Sequence, residues 1–317
     1  PGLPGAPHFS HTEFVGYGMT HGQADYQDLF VEKFREREGR LEYFFKGRWL
    51  VVDVSVEEIS SLDGGKEKVE NFATHHGGVI VGEPRKGWGI ALSTTGTNQG
   101  TPWADSVYLA LRARSADDLE HAMREWTEPV NNFTYCDVTG NFGYRLRGRI
   151  PVRHTSNRWC PVPGWDGKHE WLGMIPFDDM PAVRNPDSGY VVTCNQRVSA
   201  SSYPHYLGID FAPEYRAKRI TDRLYELPVG EANVADMSGI HGDRISIPAR
   251  AFVDIVRSLS PETGSLSDAR QLLCDWDFSM DRGSAAAAIY SAAMTHWLIA
   301  VVNGQLGALA DEALSAN

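Results

Sequence analysis

The feature that most constrains this chain is a change in the spacing of its apolar residues. In the first two thirds, apolar and polar side chains alternate. Residues 41–56 thus predict a hairpin, and residues 77–92 predict two strands around a proline-containing turn. From residue 214 onward the apolar spacing becomes helical. A sheet-rich part (1–213) followed by a mainly helical part (214–317) predicts an α+β fold or a layered αββα arrangement.

Shorter signals predict the remaining elements. Ser115 starts a helix, because Asp118 three residues later completes a Ser-x-x-Asp capping box, and the predicted apolar face of that helix extends to Trp126. Residues 148–190 contain three tryptophans and little periodicity, which is typical of a long ordered loop. The predicted strands lie at 14–20, 132–137, 142–147 and, buried, at 190–194. The predicted helices of the second part lie at 214–227, 246–258, 267–274 and 284–302.

Charge and composition exclude some classes of function. The 317 residues carry a formal charge of −11, and no Lys/Arg cluster exceeds short doublets and triplets, so nucleic acid is not an expected partner. Ser291, Thr295 and His296 interrupt the most apolar run, 285–302, so no membrane-spanning segment is expected. The four cysteines form no CxxC pair, which disfavours a zinc or thioredoxin-like site.

Common catalytic motifs are absent: the sequence has no GxSxG, HExxH, P-loop or GxGxxG. The histidine pairs His75-His76 and His8/His11 suggest a metal only weakly. Neither pair has a third ligand at a suitable spacing, and such pairs are more often structural or exposed at the surface.

Two polar clusters have both a functional and a structural interpretation. Asp25 and Asp28, in ADYQDLF, form half of a possible hard-cation site, although a capped turn explains this segment equally simply. Asn195, in Cys194-Asn195-Gln196-Arg197, follows the predicted buried strand. That position suits a catalytic group, but it also suits an ordinary strand-to-loop transition.

Six segments in a fixed order span nearly the whole chain: PGLPGAPHFSHTEFVGYGMTHGQADYQDLF, THHGGVI, NNFTYCDVTGNFGY, PVPGWDGKHEWLGMIPFDDMPAVRNPDSGYVVTCNQ, YRAKRITDRL and HGDRISIPAR. Together they resemble the penicillin acylase family of N-terminal-nucleophile hydrolases, and NPDSGYVVTCNQ is the most specific. In this family a Ser, Thr or Cys exposed by precursor cleavage attacks an amide carbonyl, with its own α-amine as the base.

The resemblance implies that this chain is the middle-to-late part of the large catalytic subunit. The nucleophile, the N-terminal part of that subunit and the small subunit would then lie outside it. Pro1 has no hydroxyl or thiol to acylate, so this chain by itself is expected to be inactive. A non-catalytic, calcium-stabilised binding or structural module of the same fold is the alternative.

The resemblance also assigns roles to individual residues. The backbone N–H of His21 and the side-chain amide of Asn195 match the two oxyanion donors, and Arg216 matches the arginine that holds the amine and the asparagine in place. Phe9 falls where relatives bind the acyl group, with Met19 beside it. Calcium is expected at Asp25, the Gln27 carbonyl, Asp28, the Arg158 carbonyl and Asp210.

The chain departs from the family pattern at three positions, with Ser10-His11-Thr12 for Gly-His-Asn, His21 for a small residue or Asn, and Cys194 before Asn195. These changes affect the expected substrate more than the chemistry. The expected substrate is a small-molecule N-acyl amide, with β-lactams and N-acyl homoserine lactones both open, and the expected location is periplasmic or extracellular.

Overall fold

The structure is a computed structural model that describes residues 8–62, 64–100, 102–259 and 264–315, so Pro1 lies outside the described residues. The chain divides into two units, Pro1–Pro213 and Glu214–Asn317. The described strands of the first unit are β1 (Ser10–His11), β2 (Val15–His21), β3 (Gln27–Arg37), β4 (Arg40–Phe45), β5 (Arg48–Val51), β6 (Asp53–Ser60), β7 (Lys66–Thr74), β8 (Gly77–Glu83), β9 (Trp88–Thr94), β10 (Asn131–Asp137), β11 (Phe142–Arg147), β12 (Val162–Pro163) and β13 (Ala182–Arg184). Its helices are α1 (Thr95–Gln99), α2 (Trp103–Arg112) and α3 (Ala116–Met123).

A five-stranded antiparallel sheet, in the order β1-β2-β10-β11-β13, forms one layer of the first unit. Phe133 and Tyr135 of β10 are buried against helices α2 and α3, in a cluster that includes Leu119 and Met123. Because side chains alternate along a strand, Asn132 before Phe133 and Thr134 between the two aromatic residues point to the other face of the sheet. The helices therefore cover one face and leave polar side chains of β10 on the opposite face.

An eight-stranded sheet forms the other layer, in the order β5-β4-β3-β9-β8-β7-β6, with β12 added to β3. Its core contains Phe34, Leu41, Tyr43 and Val52. The two-strand prediction for 77–92 is confirmed by β8 and β9, which flank a short 3₁₀ turn at Pro84–Lys86.

The second unit is helical among its described residues. Its helices are α4 (Tyr215–Tyr225), α5 (Val234–His241), α6 (Ile247–Ser258), α7 (Ser265–Cys274), α8 (Ala285–Leu306) and α9 (Ala310–Ser315). The hydroxyls of Ser246 and Ser284 cap α6 and α8 by accepting from backbone N–H groups three residues on. Val253, Leu273 and Tyr290 belong to the core of this unit.

Three local predictions were wrong. Residues 190–194 form no strand, because the Gln196 side chain bonds the Cys194 N–H (2.6 Å) and the Val192 carbonyl (3.2 Å), two backbone groups that strand pairing would use. The second arm of the 41–56 hairpin is divided at buried Val52, so that β5 pairs with β4 while β6 pairs with β7. Helix α3 ends before Trp126, whose indole N–H donates to the Pro129 carbonyl.

Other predictions hold. The β10–β11 hairpin, the strand β2, the Ser115 cap of α3 and the four predicted helices of the second unit are all present. Among the described elements, the sequence patterns missed the helices α1, α2, α5 and α9 and the strands β1, β3, β7, β12 and β13.

One stretch contradicts the expectation about membrane-spanning segments. Among the described residues, Ala285–Ser315 is long enough and apolar enough to cross a membrane by length and composition. A single such helix is weak evidence, because the core helix of a soluble protein passes the same test. Ala286, Ala287 and Tyr290 of α8 are buried in the core of the second unit.

Candidate functional site

The end of strand β2 and the loop at residue 195 meet, although 174 positions separate them in sequence. The Asn195 side-chain amide donates to the His21 carbonyl at 2.8 Å. The Thr20 and Thr193 hydroxyls lie 3.3 Å apart and bring the same two segments together a second time. The two residues predicted to supply oxyanion donors are therefore neighbours.

The sequence analysis overlooked a buried residue at this point, Asn132. Its side-chain amide donates to the His21 carbonyl (3.0 Å) and to the Thr20 hydroxyl (3.1 Å), and its carbonyl oxygen accepts from the Tyr144 hydroxyl (2.7 Å). Asn132 is fully buried, so these bonds replace water for its amide. Asn-Asn at the start of a predicted strand was the one available signal, and it does not distinguish a buried network from a strand end.

The backbone on both sides of this contact is held in place. Asn195 has φ of 67°, in the left-handed region that asparagine tolerates better than most residues, and its carbonyl accepts from the Ala212 N–H at 2.9 Å. Gly22 follows His21 where a Cβ would meet a Leu146 methyl at 2.7 Å, and its N–H donates to the Val130 carbonyl. Glycine therefore allows the chain to leave β2 close to the core.

Phe9 and Met19 lie on opposite faces of β2. A Cβ on Gly18 would meet the Phe9 ring at 2.9 Å, so Phe9 covers the Gly18 face. Met19 packs with the cluster under α2 and α3 and contacts the buried guanidinium of Arg147, with 3.1 Å between its sulfur and Nη2. The structure thus does not bring these two predicted substrate contacts together.

Asp25 and Asp28 share one buried cation, the guanidinium of Arg153, whose side chain is 0% exposed. Arg153 Nη1 lies 2.6 Å from Asp25 Oδ2, and Nε lies 3.3 Å from Asp28 Oδ2. Burial raises the pKa of both carboxyl groups, and the positive charge of Arg153 offsets this only in part. A further cation would stabilise their ionised forms.

One carboxylate oxygen of this pair suits a hard cation. Asp28 Oδ1 is buried and accepts no hydrogen bond from any described residue, which suits a carboxylate oxygen that binds a metal ion. Asp210 and Gln27 are exposed, and Arg158 stacks on Tyr206, whose hydroxyl donates to Asp25 at 3.2 Å. A cavity of about 260 Å³ joins this region to His21, and it is lined by His21, Gln23, Ala24, Asp25, Tyr26, Gln27 and Val130.

Arg216 lies in the second unit, in the first turn of α4, and its side chain is exposed. Asn195 lies in the first unit, so the predicted position of Arg216 behind Asn195 stays a prediction.

Comparison with known proteins agrees with the fold. Residues 1–316 match the penicillin amidase family, so the chain belongs to that family. It is 37% identical over 294 residues to penicillin acylase 2 proenzyme of Pseudomonas sp. (strain SE83), covering 92% of this chain and 37% of that protein. It is 29% identical over 217 residues to the acyl-homoserine lactone acylase QuiP of Pseudomonas fluorescens (strain Pf0-1), covering 67% of this chain and 26% of that protein.

Among solved structures, a thermostable penicillin G acylase from Alcaligenes faecalis superposes with a TM-score of 0.74 at 21% identity, covering 89% of this chain and 52% of that one. This match confirms the predicted α+β class and the penicillin acylase fold. The chain spans well under half the length of the curated relatives named above.

Proposed function

We propose that the protein to which this chain belongs is an acylase that hydrolyses the amide bond of an N-acyl amine or a β-lactam side chain. The observation that carries the proposal is the 2.8 Å contact between the Asn195 side chain and the His21 carbonyl, which joins the two segments predicted to bind the oxyanion. Relatives named as penicillin acylase and acyl-homoserine lactone acylase support the reaction class.

In the proposed reaction, a Ser, Thr or Cys outside residues 1–317 attacks the amide carbonyl carbon and gives its proton to its own α-amine. The carbonyl π electrons move onto oxygen. When they return, the carbon–nitrogen bond breaks, the amine leaves with a proton from the α-ammonium group, and an acyl-enzyme remains. Water then attacks the ester or thioester, releases the acid and restores the nucleophile.

The residues of this chain bind the oxyanion in both tetrahedral intermediates. The proposed donors are the backbone N–H of His21 and the side-chain amide of Asn195. An amide NH₂ group carries two hydrogens, so a bond to the His21 carbonyl orients the same group that donates to the oxyanion. In the proposed site both donors are held before charge develops, which is the condition for lowering the barrier.

A calcium ion is proposed at Asp25, Asp28 and Asp210 with the carbonyls of Gln27 and Arg158. It would supply a fixed positive charge that ties the segment after β2 to the loops near residues 158 and 210. The small subunit and the N-terminal part of the large subunit would complete the active site, and the protein would be periplasmic or extracellular.

Replacing Asn195 tests this proposal in the complete enzyme. Asn195→Ala should lower kcat by about 10²–10³ with little change in KM, because its hydrogen bond strengthens only as charge develops. His21→Ala is the matched control and should cost far less, since its donor is main chain. Equal and modest losses in both variants would contradict the assignment.

A second measurement concerns the 317-residue chain alone. It should form no acyl-enzyme with a serine- or cysteine-directed acylating probe, because its nucleophile is proposed to lie elsewhere. Stoichiometric labelling, located by mass spectrometry, would show that the nucleophile is within this chain.

A further inference from the structure

A second cluster of potential ligands lies away from the candidate oxyanion site. His75 and His76 occupy the turn between β7 and β8, and Glu170 reaches them from the loop that precedes β13. The ligand atoms of these three side chains all lie within 4.8 Å of one another. Glu170 is the third ligand that the sequence around the histidine pair does not contain, because it lies 94 positions from His76.

The His76 ring is held from the side opposite Glu170. Its Nδ1 lies 2.7 Å from Glu32 Oε1, and the ring stacks on Phe30 with 3.7 Å between centroids. The Thr74 hydroxyl also donates to Glu32, at 2.9 Å. A carboxylate on one imidazole nitrogen keeps the proton there and directs the lone pair of the other nitrogen outward, which is the usual arrangement behind a metal-bound histidine.

This arrangement places two acceptors face to face. With its proton on Nδ1, His76 presents the Nε2 lone pair to Glu170 Oε1 at 3.0 Å. Two acceptors at that distance repel each other unless a cation lies between them, either a metal ion or a second proton on the ring. The buried Glu32 adds a second negative charge, and its Oε2 has no hydrogen-bond partner among the described residues. With two carboxylates and neutral histidines, a divalent ion would balance the charge of the cluster.

The spacing of the ligand atoms also fits a metal ion. His76 Nε2 and Glu170 Oε1 are 3.0 Å apart, and His75 Nε2 and Glu170 Oε2 are 3.6 Å apart. Neighbouring ligands of a tetrahedral zinc ion, with bonds of about 2.0–2.2 Å, lie about 3.3–3.6 Å apart. His75 and Glu170 are each 31% exposed, so solvent can reach a fourth position.

We propose that His75, His76 and Glu170 bind a divalent transition-metal ion of the zinc class, with Glu32 as the second-layer partner of His76 and water as the fourth ligand. The ion would connect the β7–β8 turn to the loop around residue 170. Two imidazoles and one carboxylate suit zinc or cobalt better than calcium, which prefers oxygen ligands alone. The site is independent of the proposed acylase reaction.

Metal titration of the full 317-residue chain tests the proposal. After dialysis against a metal-free buffer, the chain should take up one equivalent of Zn²⁺ at this site by calorimetry, and Co²⁺ should produce the visible absorption of a tetrahedral site. His75→Ala and Glu170→Gln should each weaken binding by a factor of 10 or more, and Glu32→Gln by about 10–100.

His154→Ala is the matched control, because His154 belongs to another histidine pair, with His169, whose rings lie 5.8 Å apart. It should leave uptake unchanged. Circular dichroism checks that each variant folds. Glu170→Gln should disturb the fold least, because Glu170 is partly exposed. A folded wild-type chain without saturable Zn²⁺ or Co²⁺ uptake overturns the proposal, as does uptake that Glu170→Gln does not weaken. In that case a proton on His76 bridges the two carboxylates.

Discussion

The His21 carbonyl accepts hydrogen bonds from two side-chain amides, one from Asn132 in the sheet and one from Asn195 in a loop. Asn132 thereby connects the candidate site to the core, through the Tyr144 hydroxyl on its other side. Neither Asn132 nor Tyr144 is proposed to touch substrate. Their proposed role is to position His21, whose N–H binds the oxyanion, by holding its carbonyl in the peptide that follows.

Asn132→Ala should lower kcat of the complete enzyme by about tenfold and destabilise it by about 1–3 kcal/mol, because buried polar groups lose their partners. Tyr144→Phe is the matched control, since it removes one hydrogen bond but keeps both donors to Thr20 and His21. It should reduce stability and leave kcat nearly unchanged. If both variants lose kcat in proportion to stability, Asn132 is structural only.

At the scale of elements, helix α4 is tied to the loop between α5 and α6 by one carboxylate. Asp243 accepts from Arg219 Nη2 at 2.6 Å and from Arg223 Nη1 at 3.0 Å, and it also accepts from the Ile245 N–H. Its hydrogen bonds to Arg219, followed by those to Ile245 and Arg223, lower the pKa of Asp243 to about 2. The side chain is 8% exposed, so solvent screens this interaction little.

This depressed pKa predicts a pH dependence of stability. The stabilisation is fully present above the unfolded-state pKa of about 4 and is lost as pH falls from about 4 to 2, because the carboxylate must then be protonated. Asp243→Asn should cost about 1–3 kcal/mol at neutral pH and flatten the stability curve in that range. Urea unfolding followed by circular dichroism measures both effects.

Asp222→Asn is the control for this element, because its pair with Lys218 is exposed and should contribute less than about 0.5 kcal/mol. If the stability of the Asp243→Asn protein falls in acid as that of the wild type does, other carboxylates cause that loss of stability.

At the scale of the whole molecule, the proposed calcium ion should stabilise the complete protein. EGTA should lower its melting temperature, because an ion at about 100 times its dissociation constant adds about 2.7 kcal/mol. Asp28→Ala should abolish this calcium-dependent difference. Because Asp28→Ala also removes a partner of buried Arg153, the exposed Asp210→Asn provides a second variant expected to fold normally.

The calcium experiment must not respond to an ion at the proposed transition-metal site. EGTA also binds zinc-class ions, so Glu170→Gln, which should lack the transition-metal site, is measured alongside. A lower melting temperature on adding EGTA to this variant reports the calcium ion alone. An unchanged melting temperature on adding EGTA to the wild-type protein would exclude a stabilising calcium ion and leave Arg153 as the counter-charge of Asp25 and Asp28.

Local sequence signals were sufficient wherever neighbouring residues decide the structure. Ser115 and Ser246 cap helices through hydroxyls that reach only three residues along the chain, and the β10–β11 hairpin follows from its alternation and its turn. No local pattern contains the pairing of His21 with Asn195, which was predicted from the family resemblance. The same local reasoning failed at 190–194, where the Gln196 side chain takes backbone groups that a strand would have paired.

Only the tertiary structure decided what lies between segments that are distant in sequence. It placed Arg153 between Asp25 and Asp28, Asn132 under His21, and Glu170 beside the histidine pair. It also separated Phe9 from Met19, because alternation along β2 directs the two contacts to opposite faces. Apolar periodicity indicates which side of an element is buried. It does not indicate which buried polar groups contact one another. Those partners are selected by the packing of distant elements and by the cost of leaving a buried charge or amide unpaired.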